Sequence, residues 1–385
     1  MLIALLSVAQ LVNQIYLATQ AALQGLELME YVSLASIVSR VVNTALGILV
    51  LLLGFGVFGV STIAILAAAA GLGIQLAYLR RRYPLRLGFD GAQLGAILRA
   101  SLPYLASSLG LVLYGQVDVL IISWLVDTTQ VGWYGSASRL FGTFMFFPVI
   151  FTTAVFPSLT RAYANASDSL PRIIRKSFDL MLVLSIPIGL GLFVIADPLV
   201  LLLYGPDFAQ SGPILALMGL VLIPTYQNIL LGQFLTSTDR QNRWTVVMLA
   251  ATALTIPLDL LLVPWCQRWF ANGAMAGSLS FLLTELAMVA CGIALLPRGA
   301  LGRANLLVAL KVFGVGAAMV ASSWWLRGAF IGIPILVAAA VYCGGILAVR
   351  AVPRDDLALF GSFAQSALGR LRRRNASAVA VHKEI

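Results

Sequence analysis

The charged side chains that interrupt otherwise apolar stretches of this chain include Arg40, Asp118, Arg139, Asp259 and Glu285. An arginine presents a planar fork of donors that matches phosphate oxygens, and it keeps its charge. A carboxyl group far from water is a neutral acid, a hydrogen-bonded structural group, or a site for H⁺ or Na⁺. These are chemistries of anion binding and ion coupling, not of bond cleavage. Arg40 lies about seven residues, on the order of 10 Å, into its stretch. No acid matches its depth, and two readings stay open: a phosphate contact facing a cavity, or a side chain that snorkels to the interface. Arg139 is about as deep from the opposite surface, and Asp118, on the preceding stretch, is roughly 12 Å below that same surface. The two are expected to meet at one level, as a structural ion pair, or as a gate or anion site with Asp118 as counter-charge. Glu285 lies in mid-stretch, where it is neutral, hydrogen-bonded or a coupling site. Asp259 falls close to the end of its stretch, which points to the interface. Glu27 and Glu30 fall in a polar turn and are expected to be solvated.

Other chemistries lack their residues. The single histidine, His382, sits in a polar tail, and Cys266, Cys291 and Cys343 show neither pairing nor metal-ligand spacing. No phosphate-binding loop, nucleotide fingerprint or zinc motif is present. No cofactor, no metal, no enzymatic activity and no direct ATP hydrolysis by this chain are expected.

The elements that must position these charges are membrane helices. The chain is 60% hydrophobic and only 10% charged, against about 25% charged in a soluble domain. Its mean hydropathy is +0.96. Apolar stretches fall at 2–23, 33–54, 57–79, 104–126, 132–155, 178–196, 213–235, 245–263, 273–296, 306–326 and 330–349. Most are near the roughly 20 residues that cross a hydrocarbon core as helix. Continuous runs without alternation choose helices over a barrel. The fold class is therefore all-α and polytopic, with about eleven transmembrane helices. Of the 25 Lys and Arg residues, 21 lie in the alternate connections 80–103, 157–177, 236–244 and 297–311 and in the tail 350–385. Basic connections mark the cytoplasmic side, so the C-terminus is expected inside and the N-terminus outside. That distribution also argues against nucleic acid as a partner for the net charge of +10. Anionic inner-leaflet lipid is the expected partner of Arg372, Arg373 and Arg374. The tryptophans sit at or near segment ends, as interfacial rings do. The first segment carries Gln10, Asn13, Gln14, Thr19 and Gln20. A membrane helix of that polarity should face other helices or a wet cavity rather than lipid.

The long basic connection 80–103 divides the chain. Residues 22–61 and 234–278 share an order of helix end, polar turn, apolar span and glycine-rich helix start. Either this is an internal repeat of the kind transporters use, or it is the common form of membrane hairpins. Pro148, Pro187, Pro224 and Pro257 lie within spans and are expected to bend them.

The stretch VDVLIISWLVDTTQVGWYGSASRLFGTF (117–144) resembles the seventh and eighth helices of polysaccharide flippases in the multidrug/oligosaccharidyl-lipid/polysaccharide exporter superfamily. FPSLTRAY (156–163) is similar to the inner end of the eighth. ADPLVLLLYGPDFAQSGPILALMG (196–219) is similar to the outer re-entry before the tenth, and NGAMAGSLSFLLTELAM (272–288) to the start of the twelfth. The family commonly has fourteen helices, in two six-helix lobes around a cavity with two peripheral helices. The resemblance implies a MATE-like two-lobe bundle that begins at the fourth helix. Residues 1–79 would be a partial first lobe of three helices, 80–103 the basic cytoplasmic connection, 104–296 the second lobe, 297–349 the peripheral pair and 350–385 a basic tail. Three helices upstream of Met1, or a partnered form, would complete the wall. The implied function is movement of a polyprenyl-diphosphate-linked oligosaccharide across the inner (plasma) membrane by alternating access, with Arg40 and Arg139 as headgroup contacts. Asp118 and Glu285 remain gate or coupling residues for H⁺ or Na⁺, and glycan-assembly proteins are expected partners. A multidrug/cation antiporter of the same superfamily, which would favour acidic cavity residues, is one alternative. A non-transporting fragment that assembles with partners is another. A membrane glycosyltransferase or glycan ligase is disfavoured, because the outer connections are short.

Overall fold

The computed structural model describes residues 2–26, 28–82, 91–165, 169–297, 299–328 and 330–349. Glu27, most of the basic connection and the Arg372–Arg374 tail lie outside them. Among the described residues the chain is helical and has no strand. Twelve α-helices follow in order: α1 Leu2–Gly25, α2 Met29–Leu52, α3 Gly56–Arg82, α4 Gly91–Leu125, α5 Thr128–Thr143, α6 Phe146–Ala164, α7 Leu170–Tyr204, α8 Ser211–Ser237, α9 Gln241–Phe270, α10 Met275–Leu295, α11 Arg303–Trp324 and α12 Gly332–Val349. A 3₁₀ turn, Pro206–Phe208, joins α7 to α8. Eight helices (α2, α3 and α7 to α12) are long and apolar enough to cross a membrane, and α4 carries a shorter apolar stretch, Val112–Leu125. The chain is a multi-pass membrane protein.

The fifth expected span is two helices, not one. Between α5 and α6 the Phe144 N–H bonds Phe141 O at 3.1 Å and the Met145 N–H bonds Gly142 O at 3.2 Å. These tight i→i+3 bonds replace the α-helical ladder just before Pro148. Asp127 starts α5 by accepting the Gln130 N–H at 2.9 Å, a side-chain N-cap.

Two compact units are present, residues 1–101 and 102–385. In the first, α3 packs on α1 and α2. Leu23, Val32 and Leu79 form its small core, with Tyr31 stacked on Tyr78 at 3.4 Å between centroids. In the second unit α8 is central, packed by α5, α6, α7, α9 and α10. It is 78% buried over its most apolar window, which is why its apolar residues run round the whole helix. Backbones touch where α7 meets α8: a Cβ on Gly219 would lie 2.6 Å from Gly189 O. Small residues at such crossings let membrane helices gain dispersion contacts that lipid does not supply. Helices α11 and α12 pack on each other and on α7.

Three prolines free carbonyls that lipid cannot hydrogen-bond. In a continuous helix the N–H four residues on would serve each carbonyl, and proline has none. Tyr226, on α8, donates its hydroxyl to Phe144 O at 2.6 Å, across from Pro148. Tyr342, on α12, donates to Val183 O at 2.8 Å, the carbonyl that Pro187 leaves open. Arg327 donates Nε to Val194 O at 3.1 Å, the carbonyl that Pro198 leaves open, and Nη2 to Phe193 O at 3.3 Å. The Arg327 guanidinium also lies 3.3 Å from the centre of the Trp324 ring. Each of these carbonyls is thus met by a donor from outside its own helix.

Trp124, Trp269 and Trp325 are strongly exposed at helix ends, as interfacial rings should be. Trp244 is the exception. It is buried between Gly232 and Gly292, where added Cβ atoms would lie 2.7 Å and 3.1 Å from its ring. It is a packing residue in the first turn of α9. The two glycine-rich turns of the suggested repeat differ in detail: Gly54 and Gly56 take positive φ in one, and Ala271 in the other.

Replacing Tyr342 by Phe removes one donor and no packing volume, and is expected to cost about 1 kcal/mol. In a Pro187→Ala background the Val183 carbonyl regains its helical N–H, so the same change should cost much less. A double-mutant cycle on reversible unfolding in mixed micelles measures that coupling.

Candidate functional site

The buried acids of the second unit fall into two groups that differ in how their charge is answered. Helix α4 places Tyr114 and Asp118 on one face, one turn apart. Helix α9 brings Asp259, fully buried, and α10 brings Ser280 and Glu285, both buried. The Ser280 hydroxyl stands between two carboxyl groups. It donates to Asp259 Oδ1, and Asp118 Oδ1 lies 3.3 Å away. A hydroxyl has one proton and serves one acceptor at a time. Asp259 Oδ2 is buried with no hydrogen-bond partner. No lysine or arginine pairs with either aspartate among the described residues. Two ionised carboxylates cannot share such a place unless a proton or a small cation joins them.

Glu285 is differently held. Tyr114 donates its hydroxyl to Oε1. Asn228 Nδ2 donates to Oε2 at 2.6 Å and to the Glu285 carbonyl at 2.9 Å. Its charge therefore already has donors on both oxygens, as a structural carboxylate requires. The neighbouring Gln227 side chain and Asn228 Oδ1 are buried and unpartnered.

Local structure fixes the aspartate pair. Gly277 lets α10 approach α4 and α5: an added Cβ would lie 2.9 Å from Tyr134 Cε2 and would also meet Ile122. The α9–α10 turn is held by Gln130 and Gln267, whose Oε1 atoms both accept the Gly273 N–H at 2.8 Å. Asn272 Nδ2 ties the same turn to Gln210 O at 2.9 Å.

Two expectations are corrected here. Asp118 and Arg139 are not joined by a bond. Helix α5 buries Gln130, Tyr134, Ser136 and Ala137. Arg139 is about 200° round the helix from Ala137 and is exposed. The face of α5 on which Arg139 lies was not legible in the sequence. Asp259 is not interfacial, because α9 runs on through Pro264 to Phe270, placing it about three turns from the helix end. Sequence reasoning also missed Tyr114, Ser280 and Asn228. A signal for the last was present: Thr225, Tyr226, Gln227 and Asn228 are a polar run in an otherwise apolar helix.

In the first unit, Arg40 is exposed on α2. It lines a hollow of about 300 Å³ with Gln10 and Asn13 of α1, Ser39 and Asn43 of α2, and Ala64, Ala67 and Ala68 of α3. It also lines a neighbouring hollow of about 350 Å³ with Val41, Thr44 and Ala45. The polar face of the first segment is accordingly turned, in part, to a hollow rather than wholly to lipid.

Residues 1–213 match the family described as "Polysaccharide biosynthesis protein". The chain is 22% identical over 181 residues to the probable low-salt glycan biosynthesis flippase Agl15 of Haloferax volcanii, covering 47% of this chain and 38% of that protein. It is 26% identical over 189 residues to the succinoglycan biosynthesis transport protein ExoT of Rhizobium meliloti, covering 48% of this chain and 37% of that one. The chain thus spans well under half the length of these relatives. Its fold resembles that of the lipid II flippase MurJ in an inward closed conformation, with a TM-score of 0.64 and 14% identity over 81% of this chain and 67% of that one.

Gly277→Ala is expected to push α10 off α4 and α5 and destabilise the fold by about 1–3 kcal/mol. Gly115→Ala, where a Cβ meets nothing within 4 Å, should be neutral or slightly stabilising. Thermal unfolding of the two variants in the same detergent compares them directly.

Proposed function

The chain belongs to the polysaccharide biosynthesis protein family, and from that premise we propose that it is a flippase for a polyprenyl-diphosphate-linked oligosaccharide. It works in the inner (plasma) membrane with its C-terminus in the cytoplasm. The observation that carries the reading is Arg40: a guanidinium exposed within a membrane helix, in a polar-rimmed hollow, with no acid beside it. Such a group needs an anionic or wet partner, and a diphosphate matches its fork. Arg139, exposed on α5, is the second headgroup contact. A glycan cannot cross lipid unaided, and its movement would proceed by alternating access. The names of the relatives, two of them glycan flippases or transporters, support the substrate class. Glycan-assembly proteins would supply and consume the cargo.

Coupling falls to the Asp118–Asp259 pair. Its two carboxyl groups share one hydroxyl donor, leave Asp259 Oδ2 without a partner and need H⁺ or Na⁺, whereas Glu285 has a donor on each oxygen. Binding and release of that cation would bias the second unit between its two states. The same acidic pair favours one other reading, a cation antiporter for organic cations.

Proteoliposomes carrying a fluorescent polyprenyl-diphosphate saccharide test both. The chain is expected to speed movement of the probe between leaflets. Arg40→Ala and Arg139→Ala should each slow it at least about tenfold, the cost of one lost charge-assisted contact, with lysine variants between. An imposed H⁺ or Na⁺ gradient should drive net movement, except in Asp118→Asn and Asp259→Asn. Probe movement no faster than in protein-free vesicles, together with gradient-driven efflux of an organic cation, would establish the antiporter instead.

A further inference from the structure

Arg40 belongs to two hollows of opposite character. On one side the rim is amide and hydroxyl: Gln10 and Asn13 lie one turn apart on α1, and Asn43 lies one turn from Arg40 on α2. The floor is the alanine run of α3, whose small side chains leave the space open. On the other side the lining is Val41, Ala45 and Thr44. Among the described residues the side chains of Gln10, Asn13, Arg40 and Asn43 have no hydrogen-bond partner. Amides left without partners on membrane helices are costly unless something polar meets them. Each hollow is at the small end of ligand sites, about 300–1,000 Å³, which suits one sugar ring or a few isoprenyl units rather than a whole glycan.

We propose that Arg40 marks the junction of two subsites. The amide-rimmed hollow takes the sugar attached to the diphosphate, read through its hydroxyls by Gln10, Asn13 and Asn43. The Val41–Ala45 hollow takes the first isoprenyl units, and Arg40 holds the diphosphate between them. The inference rests on the flippase reading and adds to it an orientation of the cargo and a set of specificity residues. An amide pairs with a sugar hydroxyl as both donor and acceptor. A site built to hydrogen-bond such a group discriminates against cargo that lacks it, because its own polar atoms are then left unpaired. Selection therefore acts on the sugar nearest the lipid, not on the distal glycan.

Binding to the full chain in nanodiscs tests this, with two probes: a short polyprenyl diphosphate and the same lipid bearing one N-acetylhexosamine. The wild type is expected to prefer the saccharide probe by about tenfold or more. Asn13→Leu and Asn43→Leu should bring the two affinities within a factor of about three, chiefly by weakening the saccharide probe. Arg40→Ala should weaken both probes alike. Asn43→Ser, which keeps a hydroxyl and perturbs packing little, should retain part of the preference. A preference unchanged in the leucine variants, with Arg40→Ala still weakening both probes, would overturn the sugar subsite and leave the flippase reading intact. Wild-type protein that binds neither probe would overturn both.

Discussion

A polar group inside a bilayer has no water to turn to, and the structure depends on where each one finds a partner. The backbone shows this most plainly. Prolines of α6 and α7 each leave a carbonyl without its helical N–H, and each of these three carbonyls is met by a donor from elsewhere: Tyr226, Tyr342 and Arg327. Two of these donors belong to α12 and to the turn before it. The α11–α12 hairpin therefore does more than cover α7. It supplies hydrogen bonds to the carbonyls that Pro187 and Pro198 leave open on α7.

The same accounting sorts the buried charges. Glu285 has a donor for each oxygen, so its charge is settled within the protein. The Asp118–Asp259 pair has one hydroxyl between two carboxyl groups and leaves Asp259 Oδ2 with nothing. Arg40 and its neighbouring amides are likewise unanswered. Residues that the protein satisfies hold it together, and those it leaves unsatisfied are where a cation or a diphosphate saccharide would complete the set. Working groups and structural groups can be of the same residue type, as these carboxylates are.

Much of the fold was legible in the sequence because lipid demands long apolar runs. Each expected segment contains helix, and Arg40, Asp118 and Glu285 stood out by being charged where charge is costly. The break between α5 and α6 was foreshadowed by Pro148 but not located by it. The partnerships were not legible. Linear depth placed Asp118 beside Arg139, yet α5 turns its buried face, with Tyr134 and Ala137, away from that arginine. Asp259 looked interfacial because Pro264 reads as a helix end, and α9 continues through it. Ser280 and Tyr114 carry no signal of their own. They matter because Gly277 lets α10 come close enough to place its hydroxyl between two acids from different helices.

The claim on which this account turns is that unanswered buried charge, rather than buried charge as such, marks the coupling site. Equilibrium uptake of H⁺ or Na⁺ by the purified full chain in detergent tests it most directly. Uptake at a single site that disappears in Asp259→Asn and persists in Glu285→Gln is the predicted result. Uptake that survives Asp259→Asn, or that is lost with Glu285, would contradict it.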